Sequence, residues 1–181
     1  MALTIVVIDF RGLAPVTWSH PDTSFAYVQD ASGGVRVINP TWESSDASKP
    51  GTVVTVRGKV TQGEFVPVIT NAVLSRVGWW SLDEARLVTL EQALTGVEDG
   101  RWIEMRGFVR DVGVSNGLAR LDLSTSSGEF QAWAPFTQSF ESLKGSIVRV
   151  RGVCTVISNP RHQLTGIQIW APEVKNIQVE E

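Results

Sequence analysis

The residues best equipped for chemistry in this chain are its tryptophans and the polar side chains beside them. Seven tryptophans, at positions 18, 42, 79, 80, 102, 133 and 170, stand against a single tyrosine. On strand parity Trp133 shares an outward face with Gln131, and Trp170 shares one with Gln168. An indole beside an amide can stack a flat ring and hydrogen-bond its edge. Two loops add candidates: Trp18 and His20 in the run from Pro15 to Ser24, and Asn159, Arg161, His162 and Gln163 in the run from Val156 to Gln163. An arginine in such a loop can hydrogen-bond a carboxylate, a phosphate or a sugar. The competing use of the same rings is packing, with the indole covering apolar surface and its N–H serving as a polar handle. Trp79 and Trp80, adjacent near mid-chain, suit packing between two halves best.

Other chemistry is hard to assemble from this sequence. His20 and His162 are the two histidines, and no Cys/His/Asp group has metal-ligand spacing, so no metal site is expected. Cys154 falls on the inward parity with Val148 and Val150 and reads as a small buried hydrophobe rather than a nucleophile. As the single cysteine it excludes an internal disulfide. There is no glycine-rich phosphate loop after a strand and no Gly-x-Ser-x-Gly elbow. The expectation is therefore a protein that is not an enzyme and holds no cofactor.

Composition narrows the partners. The chain has 181 residues, 43% hydrophobic and 19% charged, with a net charge of −3. Residues 1–80 hold six basic and six acidic side chains, and residues 81–181 hold ten and thirteen. Neither half has the basic excess that draws nucleic acid through counterion release, so charge disfavours that partner. No apolar run reaches bilayer-spanning length. The start, Met1-Ala-Leu-Thr-Ile-Val-Val-Ile-Asp9, enters a strand directly and lacks the features of a signal peptide. That fits either a cytoplasmic start or a segment of a longer polypeptide.

The elements that must position these residues are set by a repeat. Phe10-Arg-Gly-Leu13, Val56-Arg-Gly-Lys59, Met105-Arg-Gly-Phe108 and Val150-Arg-Gly-Val153 each close an alternating run. Arg11 and Arg57 are 46 positions apart and Arg106 and Arg151 are 45 apart, while Arg11 and Arg106 are separated by 95. A unit of about 95 residues is therefore duplicated. Each copy contains five strand-like runs, with glycine on the inward parity of the first, where a missing side chain permits a bend. The arginines fall outward, where Asp9 and Glu104 are their expected partners. Thr89-Leu-Glu-Gln92 fits a capping box and predicts a short helix at about 89–95, plugging the open end of the second barrel. The fold class expected is all-β: two tandem five-stranded OB-fold-like barrels, with a short helix at the start of the second. A ten-stranded sandwich is the alternative. The boundaries expected are residues 1–80 for the first barrel, 81–88 for a linker and 89–181 for the second barrel with its helix.

Three stretches carry a resemblance. Tyr27-Val-Gln-Asp-Ala-Ser-Gly-Gly-Val-Arg-Val37 looks like the second-to-third strand hairpin of OB domains in general. The run Leu87 to Gly107, and Val150-Arg-Gly-Val-Cys154 followed by Asn159 to Pro172, are more specific. Together they are similar to the tandem OB-like module found ahead of the transmembrane helix in certain bacterial sensor histidine kinases, over nearly the whole chain. The resemblance implies a non-catalytic, extracytoplasmic input module of a membrane-anchored parent, with any kinase activity outside this chain. It brings no ligand with it. The preferred function is thus a sensor module that binds a ligand or a protein partner. The alternatives are a tandem OB protein binding single-stranded nucleic acid, and a structural domain whose tryptophan-rich surface pairs with another protein.

Overall fold

Alternating runs of apolar and polar residues become strands here, and the length of the first strand in each copy decides the topology. The computed structural model describes residues 8–20, 23–63, 66–82 and 84–180, with the side chains of residues 8–11 and 138 outside that description. The first unit is Met1–Glu84. Its strands are β1 (Ile8–Ser19), β2 (Phe25–Gln29), β3 (Gly34–Ile38), β4 (Thr41–Trp42), β5 (Thr52–Thr61) and β6 (Val68–Trp79). β1 serves two neighbours: Ile8 to Pro15 pair with β5, and Val16 to Ser19 pair with β2. The change of neighbour coincides with a register shift between Val16 and Trp18, a bulge that bends the strand around the barrel. β2 pairs with β3, β5 pairs with β6, and a single parallel pair, Val37 opposite Ile69, closes the ring.

The second unit, Ala85–Glu181, follows the same plan. It contains β7 (Arg86–Leu87), α1 (Leu90–Ala93), β8 (Trp102–Ser115), β9 (Leu118–Thr125), β10 (Gly128–Pro135), β11 (Ile147–Ser158), β12 (Leu164–Trp170) and β13 (Ile177–Glu180). β8 pairs with β11 from Trp102 to Phe108 and with β9 from Phe108 to Ser115, again with a register shift, between Val109 and Asp111. Closure is stronger here, because β10 and β12 run parallel over three pairs from Gln131–Gln168 to Trp133–Trp170. In both units the main strands close in the order first, second, third, fifth, fourth, with a parallel contact between third and fifth. That is the OB barrel, twice.

The inward parities fill the cores. The first barrel buries Ala14, Val16, Val28, Val37, Val54, Val56, Ile69, Ala72 and Leu74, a set without aromatic rings. The second buries larger side chains, including Met105, Leu121, Leu123, Phe130, Phe140 and Ile169. α1 adds Leu90 and Ala93 to that core. Its capping box is complete, with Thr89 Oγ1 accepting from the Gln92 backbone N–H at 3.3 Å and Gln92 Oε1 accepting from the Thr89 N–H at 3.0 Å. Such a cap stabilises a short helix by about 1 kcal/mol. Among the described residues no helix is long and apolar enough to cross a membrane.

The second glycine of each repeat is a point of close approach. A Cβ on Gly58 would lie 2.7 Å from Ile69 Cγ2, and one on Gly152 would lie 2.5 Å from the Trp170 carbonyl oxygen. Only glycine lets the fourth and fifth strands cross this closely. Of the repeat arginines in the second barrel, Arg151 takes the expected partner Glu104 and Arg106 does not. Glu104 bonds Arg151, directly opposite it on β11, at 2.5 Å rather than Arg106 two residues along its own strand. Arg106 instead reaches Glu180 on β13, which also takes Arg149 at 3.0 Å. Side chains directly across a ladder are closer than same-strand neighbours two residues apart, which explains the choice. The side chains of Asp9 and Arg11 lie outside the described residues.

Other corrections concern boundaries. Trp18, expected in a loop, is in the last turn of the pleat of β1. The division between units falls at Glu84/Ala85, and Arg86–Leu87, expected in a linker, pair in parallel with Ile103 and Glu104. β11 runs on to Ser158, into the expected loop. β13 was not expected as a separate strand, since a 3-10 turn at Val174–Asn176 breaks the alternation before it.

Candidate functional site

Strand register assembles two rows of side chains on the outside of the second barrel. One row runs Asp111, Asp122, Gln131, Gln168, Thr155 across β8, β9, β10, β12 and β11. The other, two residues further along each strand, contains Arg120, Trp133 and Trp170. Both are outward because the intervening residues Leu121, Leu123, Ala132 and Ile169 are in the core. Two residues of strand separate the rows by about 6–7 Å, within reach of one ligand ring and its substituents.

The two indoles stack on each other, ring centroids 5.6 Å apart and planes 19° from parallel. Each is fixed by its N–H. Trp133 Nε1 donates to Gln168 Oε1 at 3.1 Å, and Trp170 Nε1 donates to Thr155 Oγ1 at 3.2 Å. The polar row is also bonded internally: Asp122 accepts from Gln131 Nε2 and from an Arg120 guanidinium N–H, both at 3.0 Å. The four predicted residues Gln131, Trp133, Gln168 and Trp170 are thus brought together on adjacent parallel strands, all half-buried. Side chains whose orientations are set before a ligand arrives lose less entropy on binding it.

Beyond Gln131 and Gln168 the parallel pairing of β10 and β12 ends, and an open cleft of about 350 Å³ lies between them. Phe130 and Ile167 line it, and Gln131, Asp122, Arg110 and Glu129 supply polar groups. Arg110 pairs with Glu129 at 2.8 Å, and Lys144 pairs with Asp111 at 2.8 Å. The hydrogen bond from the Lys144 ammonium holds the Asp111 carboxyl below the usual carboxylate range. Because Gln131 and Asp122 belong to both the cleft and the polar row, the cleft and the indole pair form one continuous surface.

The loop candidates separate from this face in role. Asn159 organises its own turn: Oδ1 accepts the backbone N–H of Arg161 at 2.9 Å and of Gln163 at 3.1 Å, and Nδ2 donates to Gln163 Oε1 at 2.9 Å. His162 takes a left-handed conformation, φ +58°, with its N–H bonded to the Asn159 carbonyl. Asn159 and Gln163 are therefore turn-builders, while Arg161 and His162 are exposed. Cys154 is in the core, and burial pushes its thiol up to about 12, with Asp99 and Glu98 adding to the effect.

The first barrel treats its aromatics differently. Trp18, Tyr27 and Arg36 form the outward row matching Asp111, Asp122 and Gln131, by the same registers. Trp18 stacks on Phe25 at 5.0 Å, Phe25 meets Tyr27 edge-on at 6.0 Å, and the Arg36 guanidinium sits 4.3 Å above the Phe25 ring. Trp18 is only 2% exposed and Tyr27 6%. A ring this deeply buried cannot receive a ligand on its face, so the structure does not support Trp18 as a ligand contact. His20 follows it in the chain, and its carbonyl accepts from Thr23. Trp79 and Trp80 are 63% and 64% exposed, with the Trp79 ring lying against Gly51.

Sequence reasoning missed Arg120, Asp122 and Thr155. The first two were readable, since an inward Ala119, Leu121 and Leu123 leaves Arg120 and Asp122 outward. Thr155 needed the register of β11 against β12.

No protein-family model matches the chain, and no curated protein matches it in sequence. Among solved structures it is similar to the p202 HIN1 domain in complex with a 12-mer double-stranded DNA, at 12% identity over 99% of this chain and 97% of that one, TM-score 0.45. It is also similar to the p204 HINb domain, at 13% identity over 95% and 97%, TM-score 0.41. An aspartyl-tRNA synthetase from Entamoeba histolytica matches at 16% identity and TM-score 0.40, over 52% of this chain and 21% of the synthetase. At these scores and identities none of the three bears on function.

Proposed function

We propose that the chain is a non-catalytic binding module whose second barrel takes a ring-bearing ligand, a base or a sugar, on the outer face carrying Trp133 and Trp170. The observation that supports this most is the indole pair itself: two rings stacked 5.6 Å apart, each N–H tied to a neighbour in the polar row. The pairing fixes ring orientation, and the cleft beside it has the size usual for a small-ligand site. The sequence resemblance to tandem OB-like input modules supports a sensor role in a membrane-anchored, extracytoplasmic signalling protein. A gene encoding neither a signal peptide nor a membrane helix around this segment would end that part of the proposal.

Single-stranded nucleic acid is the second reading, favoured by the same indole pair because every base offers a flat face. Titration of tryptophan fluorescence with a short oligothymidylate tests it. The second reading requires salt-sensitive binding that Trp133→Ala weakens by about 1–3 kcal/mol. Absence of binding at low salt would eliminate it.

A further inference from the structure

Resting on the proposed binding face, we infer that its ligand is a neutral saccharide. The face and its cleft carry three cations, Arg110, Arg120 and Lys144, and each is already bonded to a carboxylate: Glu129, Asp122 and Asp111 respectively. The local sum is zero. A phosphodiester chain laid across this face would meet one carboxylate for every cation, whereas strand-tracking grooves are built on a basic excess.

The remaining chemistry matches a pyranose. Its axial C–H groups make an apolar face that packs on an indole, and its ring of hydroxyls needs both donors and acceptors close by. The structure supplies these together. The Trp133–Trp170 pair offers the apolar surface, while Gln131 and Gln168 lie one row away on the same two strands and Asp122 beside them on β9. Gln131 and Asp122 then continue into the cleft of about 350 Å³, where the Arg110–Glu129 pair presents charged donors and acceptors above Phe130 and Ile167. An oligosaccharide with one ring on the indoles and the next in the cleft would find polar partners along its length without separating any charge.

The experiment is calorimetric titration of the full chain with three neutral hexasaccharides (cellohexaose, chitohexaose and mannohexaose) and, separately, with a short oligothymidylate, each at low and high salt. The expected result is binding to at least one hexasaccharide with an affinity indifferent to salt. Gln131→Ala should weaken that binding by about fivefold, the effect of one lost neutral hydrogen bond, and Trp133→Ala should weaken it further. Unfolding curves for both variants confirm that they fold. Salt-sensitive binding of oligothymidylate alone, lost in Trp133→Ala, would overturn the saccharide assignment and leave the binding face standing. Saccharide binding that neither substitution changes would overturn the assignment to this face and the face itself. Failure of all three hexasaccharides to bind would overturn the inference.

Discussion

The two barrels share a ring order and differ in where they keep their aromatic rings. In the first, the core is made of Ala, Val, Ile and Leu, and Trp18, Phe25 and Tyr27 cluster on the outer side under Arg36. In the second, Phe130 and Phe140 are inside, and the outer side carries two half-buried indoles beside a row of acids and amides. Matching positions thus hold Trp18, Tyr27 and Arg36 in one copy and Asp111, Asp122 and Gln131 in the other. In the first row Trp18 and Tyr27 both pack on Phe25, and the Arg36 guanidinium sits over the same ring. The second keeps hydrogen-bonding groups at a surface next to an aromatic plane. On the proposed reading, divergence of one outward row turns a structural face into a recognition face while the ring order of the strands stays the same.

The largest effect is expected from Trp18→Ala. Truncating a fully buried indole costs about 3–5 kcal/mol, so urea unfolding should show the first unit destabilised by most of that amount, with ligand binding at the second barrel retained. Loss of binding with stability intact would reverse the roles assigned to the two faces.

Gly58→Ala and Gly152→Ala should act differently in the two barrels. Each places a methyl within 2.7 Å of the fifth strand, and forcing such a contact costs roughly 1–3 kcal/mol. Both variants should unfold at lower denaturant. Only Gly152→Ala should also weaken binding, because the atom it meets is the carbonyl of Trp170. Equal loss of binding in both would mean that the indole pair is not the contact.

A smaller effect follows from Cys154. Burial holds the folded thiol near 12, against an ordinary value of 9.0. As pH rises through 9.0 the unfolded chain ionises its thiol first, so the folded state loses relative stability between there and about 12. Cys154→Ala should flatten that decline in thermal unfolding measured between neutral and strongly alkaline pH. In the native protein at neutral pH the thiol should resist disulfide-exchange reagents until the second barrel unfolds.

Much of this architecture could be read from residue order alone. The four Arg-Gly stretches placed the duplication, and alternation around Val54, Val56, Leu121 and Leu123 separated core from surface. Gln131, Trp133, Gln168 and Trp170 followed from the same parity and do lie together. What parity could not supply was distance across the sheet. It could not show that Trp18 is enclosed by Phe25 and Tyr27, because that depends on a bulge in β1 whose register no local signal marks. It also could not foresee that Asn159 and Gln163 bond each other, since a polar loop residue looks the same whether it serves a turn or a ligand. The Arg106–Glu180 pair was hidden for a related reason: its acid lies on a strand separated from β12 by a 3-10 turn.

The most direct test of the account is to follow the indole N–H resonances of the seven tryptophans while a binding hexasaccharide is added to the isotope-labelled chain. The Trp133 and Trp170 signals should shift and saturate together, while the Trp18 signal stays in place. Movement of Trp18, or of Trp79 and Trp80, with Trp133 and Trp170 unchanged would contradict it.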